Sequence, residues 1–143
     1  MSADSGYQFV DTNVLVYAHD TSAGLKHEQA KTLMQTLWQT QTGCLSIQVL
    51  QEFYVTVTQK VKRPLSPQTT AQIIQELQVW HMHTPRPEDV LSAIQLQTRY
   101  QISFWDAMII QSAVQLKCST LWSEDFNAGQ IFLGVSVENP FVG

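Results

Sequence analysis

The sequence predicts an α/β domain built on a central, mainly parallel sheet of four to five strands. Three observations predict it. Short apolar runs alternate with longer segments of helical period along the whole chain. The acids hardest to explain as surface charges fall where strands end or helices begin. At 143 residues and 44% hydrophobic content, the chain suits one domain over residues 1–143, with one core.

Residues 7–11 (YQFVD) read as a short buried strand. TNVLVYAH follows as a short helix, with Thr12 or Asn13 able to cap it. Residues 26–41 place Ala30, Leu33, Met34, Leu37 and Trp38 at helical spacing, and Gly43 ends that helix. CLSI (44–47) reads as a second strand. Residues 47–62 return to helical period through Leu50, Phe53, Tyr54, Val57 and Val61. KRPLSP (62–67) is a proline-marked turn, and residues 68–79 form a helix with Ile73, Ile74 and Leu77 inward. HMHT (81–84) is a candidate third strand. Pro87 opens the next helix, which runs to about Tyr100 with Glu88 and Asp89 in its first turn, where the dipole favours anions. SFWDAMII begins a helix over about 104–117. STLWS (119–123) and VSVEN (135–139) are the last two strands.

The totals exclude several classes. The net charge is −4 and only 14% of residues are charged, with 18 glutamines carrying much of the polarity. A protein that holds nucleic acid by bulk positive charge does not look like this. There is no Gly-rich phosphate loop, so no nucleotide triphosphate cofactor is expected. Cys44 and Cys118 lack any CxxC or zinc spacing and read as small core residues. His81 and His83 share a face of their strand and read as a packed or exposed pair; His19 and His27 lack suitable neighbours. The four tryptophans read as mostly core, Trp105 being the one placed to stack on a base. No apolar run approaches the roughly 20 residues that cross a bilayer, and MSADSGYQ has neither part of a signal peptide. The expectation is a cytoplasmic protein without a membrane partner.

Of twelve acids, most have plain explanations. Asp4 and Glu138 lie near the termini, Glu28 and Glu76 fit solvated helix faces, and Asp20 and Glu124 have no evident partner. Four differ. Asp11 ends an apolar strand, where it could act chemically or simply cap the next helix. Glu52 lies about one turn into a helix, on a face with Gln48, Thr56 and Gln59 that could equally be solvated. Asp106 shares an apolar stripe with Ile109, Ile110 and Ala113, and Ser103-x-x-Asp106 also fits a capping box. Asp125 follows a strand, with Ser123 two residues before it. In a parallel sheet all four places can share one edge. Carboxylates gathered there repel unless cations neutralise them, and hard divalent ions with oxygen ligands are the usual solution.

Four stretches carry a resemblance: FVDTNVLVYA, LSIQVLQEFYVTV, ISFWDAMIIQSA and TLWSEDFNAGQ, in that order. Together they resemble the PIN domain, a family of metal-dependent ribonucleases that includes the VapC toxins of toxin–antitoxin pairs. The resemblance implies a compact three-layer α/β/α domain, commonly a homodimer. It implies that Asp11, Glu52, Asp106 and Asp125 bind one or two Mg²⁺ or Mn²⁺ ions, while Thr12, Asn13 and Ser123 orient carboxylates or waters. Glu124, adjacent to Asp125, is the alternative fourth acid. The implied reaction is hydrolysis of single-stranded or looped RNA to a 5′-phosphate and a 3′-hydroxyl, with a small protein antitoxin as inhibitor. Lys60, Lys62 and Arg63 form the only basic cluster; they could meet RNA phosphates or mark a solvated turn.

Two other readings stay open. One is a catalytically silent binding module that keeps the pocket. The other is phosphoryl transfer through an aspartyl intermediate at Asp11, although the phosphatase pattern wants a second Asp where Asn13 stands.

Overall fold

The computed structural model describes residues 6–142; Asp4, read above as a terminal charge, lies outside them. The strands are β1 (Gln8–Val10), β2 (Gly43–Ser46), β3 (His81–His83), β4 (Thr120–Trp122), β5 (Ile131–Phe132) and β6 (Val135–Glu138). The helices are α1 (Thr12–His19), α2 (Leu25–Thr40), α3 (Ile47–Gln59), α4 (Pro67–Leu77), α5 (Pro87–Tyr100) and α6 (Phe104–Gln115). A single 3₁₀ turn, Thr21–Ala23, separates α1 from α2.

The sheet has six strands in the order β3-β2-β1-β4-β6-β5, all parallel except β5. This exceeds the expected four to five. The extra strand is two residues long and joins β6 through Leu133 and Gly134, both at positive φ (50° and 89°). That is a tight hairpin turn, but Leu-Gly carries none of the Asn-Gly or Asp-Gly chemistry that announces one in sequence. Gly43 also differs from expectation. It starts β2 rather than ending α2, whose C-cap is Gln41 in the left-handed region (φ 58°). A Cβ at Gly43 would lie 2.3 Å from the Trp80 ring, so only glycine lets that indole lie on the strand.

Helix α1 packs on α2 and α3, α3 packs on α4, and α5 packs on α6, which also touches β2, β4 and β6. Right-handed crossovers place the two groups on opposite faces of the sheet. Both sheet faces are therefore covered, which is why Phe9, Val10, Cys44, Leu45 and Leu121 are fully buried. Cys44 and Cys118 are free and buried, as read; they face each other, and that proximity pulls the Cys44 thiol down and pushes the Cys118 thiol up. Among the tryptophans Trp38 breaks expectation, at 38% exposed, whereas Trp105, at 62%, lies outside the core as its alternative reading allowed. No helix among the described residues is long and apolar enough to cross a membrane.

His83 and Asp89 proved more engaged than their sequence positions suggested. Asp89 accepts from Arg86 N–H (2.8 Å) and Gln111 Nε2 (3.0 Å) and faces His83 Nε2 (3.1 Å), while His83 Nδ1 meets Ser112 Oγ (2.7 Å). This buried network ties β3, α5 and α6 together. Burial alone would raise the Asp89 carboxyl, but these hydrogen bonds and His83 bring it below the usual range.

Candidate functional site

Topology assembles the site. The order of strands reverses direction at β1, whose neighbours are β2 on one side and β4 on the other. Ligands of open α/β sheets bind beyond the carboxyl ends at such a point. Val10 and Trp122 are paired in register, so the next residues, Asp11 and Ser123, face each other there. Helices that follow parallel strands start at this edge, and a helix that precedes one also starts there because it runs back along the sheet. Glu52 in α3 and Asp106 in the first turn of α6 arrive by these two routes.

Asp11 takes the capping role the sequence left open, and its second oxygen also faces Ser123. It is the N-cap of α1, with Oδ1 accepting Thr12 N–H at 2.7 Å, and its Oδ2 accepts the Ser123 hydroxyl at 2.7 Å. It thereby replaces Thr12 and Asn13 as the cap. The side chain is 4% exposed. Burial pushes its pKa up to about 7; the Ser123 and Thr12 bonds oppose this, and Asp125 and Asp106 add to it.

Asp106 is half-buried. Burial raises its carboxyl, the Ser103 hydroxyl lowers it, and Asp125 and Glu52 raise it further. Ser103 caps α6 by accepting Asp106 N–H at 3.0 Å. Among the described residues the reciprocal bond to Ser103 N–H is absent, so half of the expected capping box forms. Its carboxylate thus meets the Ser103 hydroxyl and the charges of Asp125 and Glu52.

Glu52 is held at both oxygens. Thr12 Oγ1 donates to Oε1 at 2.6 Å and Gln48 Nε2 donates to Oε2 at 3.2 Å. Gln48 also donates to the Trp105 carbonyl at 3.2 Å. On the other side of Asp11, Ser123 Oγ accepts Asp125 N–H at 3.0 Å. A continuous chain of contacts therefore runs Asp125, Ser123, Asp11, Thr12, Glu52, Gln48 and Trp105, ending beside Asp106. The sequence reading missed Gln48, taking it for part of a solvated face. Its four-residue spacing from Glu52 was the available signal.

Glu124 and Asp125 are now distinguished. Glu124 accepts the Tyr17 hydroxyl and the Lys26 ammonium, each at 2.6 Å, and Lys26 also lies 5.1 Å over the Tyr17 ring and 5.4 Å over that of Phe141. Burial would raise Glu124, but Lys26 and Tyr17 lower it. So this acid has partners, contrary to expectation, and is neutralised by one of them. Asp125 is exposed and lines an open groove of about 490 Å³ with Thr12, Asn13, Tyr17, Glu52 and Lys60. Lys60 thus sits in the groove, while Lys62 and Arg63 lie on the exposed turn beyond it. Asp20, read as partnerless, also borders the groove and accepts Ser22 N–H at 3.0 Å.

The donor set suits a hard divalent cation in kind: four carboxylates and no sulfur or imidazole among them. Its spacing is looser than a ready-made cage. Among the described residues no three His, Cys, Asp or Glu side chains are grouped closely enough to hold one ion. Mg²⁺ does not need that, since it keeps several waters and takes one or two carboxylates. A second observation marks the same place. Among the described residues, the buried side-chain atoms without a hydrogen-bond partner are Nδ2 and Oδ1 of Asn13 and Oε1 of Gln48. Asn13 follows Asp11 and Thr12 in the chain and Gln48 bonds Glu52, and buried polar atoms without a partner are few in folded proteins.

A parallel sheet with a carboxylate-lined groove at its switch point defines a class of acid-centred α/β domains. Within that class, the family model described as PIN domain matches residues 9–131, and the chain belongs to the PIN-domain family. Solved structures share the fold. The sarcin–ricin-loop-cleaving toxin VapC20 of Mycobacterium tuberculosis is 18% identical with a TM-score of 0.62, covering 80% of this chain and 86% of its own. A toxin–antitoxin complex from Klebsiella pneumoniae is 18% identical with a TM-score of 0.67, covering 94% and 98%. VapBC2 from Rickettsia felis, bound to a fragment of its promoter DNA, is 18% identical with a TM-score of 0.66, covering 93% and 98%. A sequence search of curated proteins gave no match.

Proposed function

We propose that this chain is a metal-dependent endoribonuclease that hydrolyses single-stranded or looped RNA and acts as the toxin of a toxin–antitoxin pair. The observation that carries the reading is the hydrogen-bonded chain linking Asp11, Glu52, Asp125 and the Asp106 helix at one sheet edge. Asp11, Glu52, Asp106 and Asp125 would hold one or two Mg²⁺ or Mn²⁺ ions. Such an ion, when bound, lowers the pKa of a water and offsets charge on the scissile phosphate.

The chain's own residues do the rest. Thr12 and Ser123 fix the rotamers of Glu52 and Asp11 through hydroxyl bonds. Asn13 brings an unpaired amide to the groove. Lys60, eight residues from Glu52, stands about 12 Å along α3, where it can neutralise a phosphate away from the scissile one. Groove shape and carboxylates thus supply what a net charge of −4 denies at long range. An aspartyl-phosphate route gains no support, since Asn13 stands where that pattern wants a second Asp.

Partner readings follow from the surface. Tyr54 and Val55 of α3 are exposed beside Ile47, Leu50 and Ile74, an apolar patch that suits a segment of a protein antitoxin. Val90, Leu91 and Ile94 are exposed on α5 and suit a homodimer contact. The solved relatives from Klebsiella pneumoniae and Rickettsia felis, which are complexes, support the antitoxin reading.

The test is cleavage of a looped RNA by purified protein, with Mg²⁺, Mn²⁺ or EDTA. Asp11→Asn and Asp106→Asn should each abolish ion-dependent cleavage while circular dichroism stays native. Undiminished cleavage by both variants sinks the assignment. Absence of Mn²⁺ binding at millimolar concentration in the folded wild type favours the silent binding module instead.

A further inference from the structure

Glutamine and glutamate four residues apart on a helix usually form a solvated pair that contributes only about 0.2–0.5 kcal/mol. Gln48 breaks that pattern, because it is 8% exposed. Its amide has two hydrogens and both are spent on oxygens: Oε2 of Glu52 and the carbonyl of Trp105, each at 3.2 Å. This fixes the orientation of the amide, since a flip would set Oε1 against two acceptors. The consequence is that Oε1 is buried with no partner. That unpartnered oxygen is a cost that offsets the two bonds the amide donates, so an apolar side chain of similar size should leave stability about unchanged.

We infer that Gln48 is a positioning residue for metal binding, retained against that cost because it registers Glu52 to the helix that carries Asp106. The argument is geometric. Thr12, the neighbour of Asp11, holds one Glu52 oxygen, and Gln48 holds the other while bracing on the neighbour of Asp106. Three acids on three separate elements are thereby held to one another through their chain neighbours. Without Gln48, the Glu52 carboxylate keeps only its Thr12 bond and loses its link to the first turn of α6. Groups that orient metal-binding carboxylates typically change affinity by 10- to 100-fold when removed.

This inference rests on the metal-dependent reading, and two readouts keep the two apart. Gln48→Met and Gln48→Leu are compared with wild type and Asp11→Asn, by Mn²⁺ titration calorimetry and by thermal melting in EDTA. The expected result separates stability from binding. Both Gln48 variants melt in EDTA close to the wild-type temperature, yet bind Mn²⁺ at least 10-fold more weakly. A side chain that merely fills space gives the reverse, a lower melting temperature with unchanged Mn²⁺ affinity, and that result overturns the inference. A variant that does not fold overturns it too, because loss of the unpartnered acceptor is expected to spare the fold. If Asp11→Asn loses Mn²⁺ binding while the Gln48 variants keep it, only the positioning role fails. If the wild type binds no Mn²⁺, the metal-dependent reading itself fails and takes this role with it.

Discussion

Asp11→Asn is expected to stabilise the metal-free protein at neutral and alkaline pH. In an unfolded chain this carboxyl titrates near 3.9. In the fold, burial pushes it to about 7, with Asp125 and Asp106 adding to the effect and bonds from Ser123 and Thr12 opposing it. Its pKa is thus raised on folding. Between about pH 4 and pH 7 the unfolded chain gives up a proton that the folded chain keeps, so stability falls as pH rises through this window. Roughly three pK units correspond to about 4 kcal/mol lost by pH 8, as an upper figure. Asparagine never ionises and escapes the loss. It must still pair with Thr12 N–H and the Ser123 hydroxyl, and imperfect pairing costs about 1 kcal/mol. The net gain should be on the order of 2–3 kcal/mol at pH 8 and vanish near pH 4. Urea unfolding in EDTA from pH 4 to 8 measures it. Parallel pH profiles for the two proteins would refute the reasoning. Saturating Mn²⁺ should reverse the order, since only the wild type then gains binding energy from the ion.

Glu124→Gln should retain cleavage, because Lys26 and Tyr17 already occupy that carboxylate, whereas Asp125→Asn should slow single-turnover cleavage at least 10-fold. Lys26→Met should leave the urea midpoint nearly unchanged, since the pair is solvent-screened and the lysine side chain is 44% exposed. Gly43→Ala should lower stability by about 1–3 kcal/mol, because the new Cβ meets the Trp80 ring; a Trp80→Leu partner change should recover part of that. Asp89→Ala should cost on the order of 3 kcal/mol at pH 7 by stranding Gln111, His83 and Arg86 N–H. The Asp89 carboxyl is lowered on folding, so its contribution is present above pH 4 and shrinks as acid titrates the folded group.

Much of the architecture was legible because it rests on local rules. Apolar periodicity, Pro87 at a helix start and Ser103 as a cap act within a few residues, so they can be read from order alone. The acids were legible for the same reason: Asp11 and Asp125 follow strands, and parallel topology carries strand ends to one edge. The β5 hairpin was not legible, because two residues give no period and Leu133-Gly134 gives no turn signal.

What sequence alone determined, then, is which residue types occupy the sheet edge, since chain order and crossover handedness set that. Tertiary structure decided their states. Glu124 is taken out of the groove by Lys26, 98 positions away, and Asp11 is desolvated and paired with Ser123, 112 positions away. Gln48 is buried and its amide is met by the Trp105 carbonyl, 57 positions away. Burial, charge pairing and hydrogen-bond completion depend on what lies across a gap in space, and chain order alone leaves that distance open.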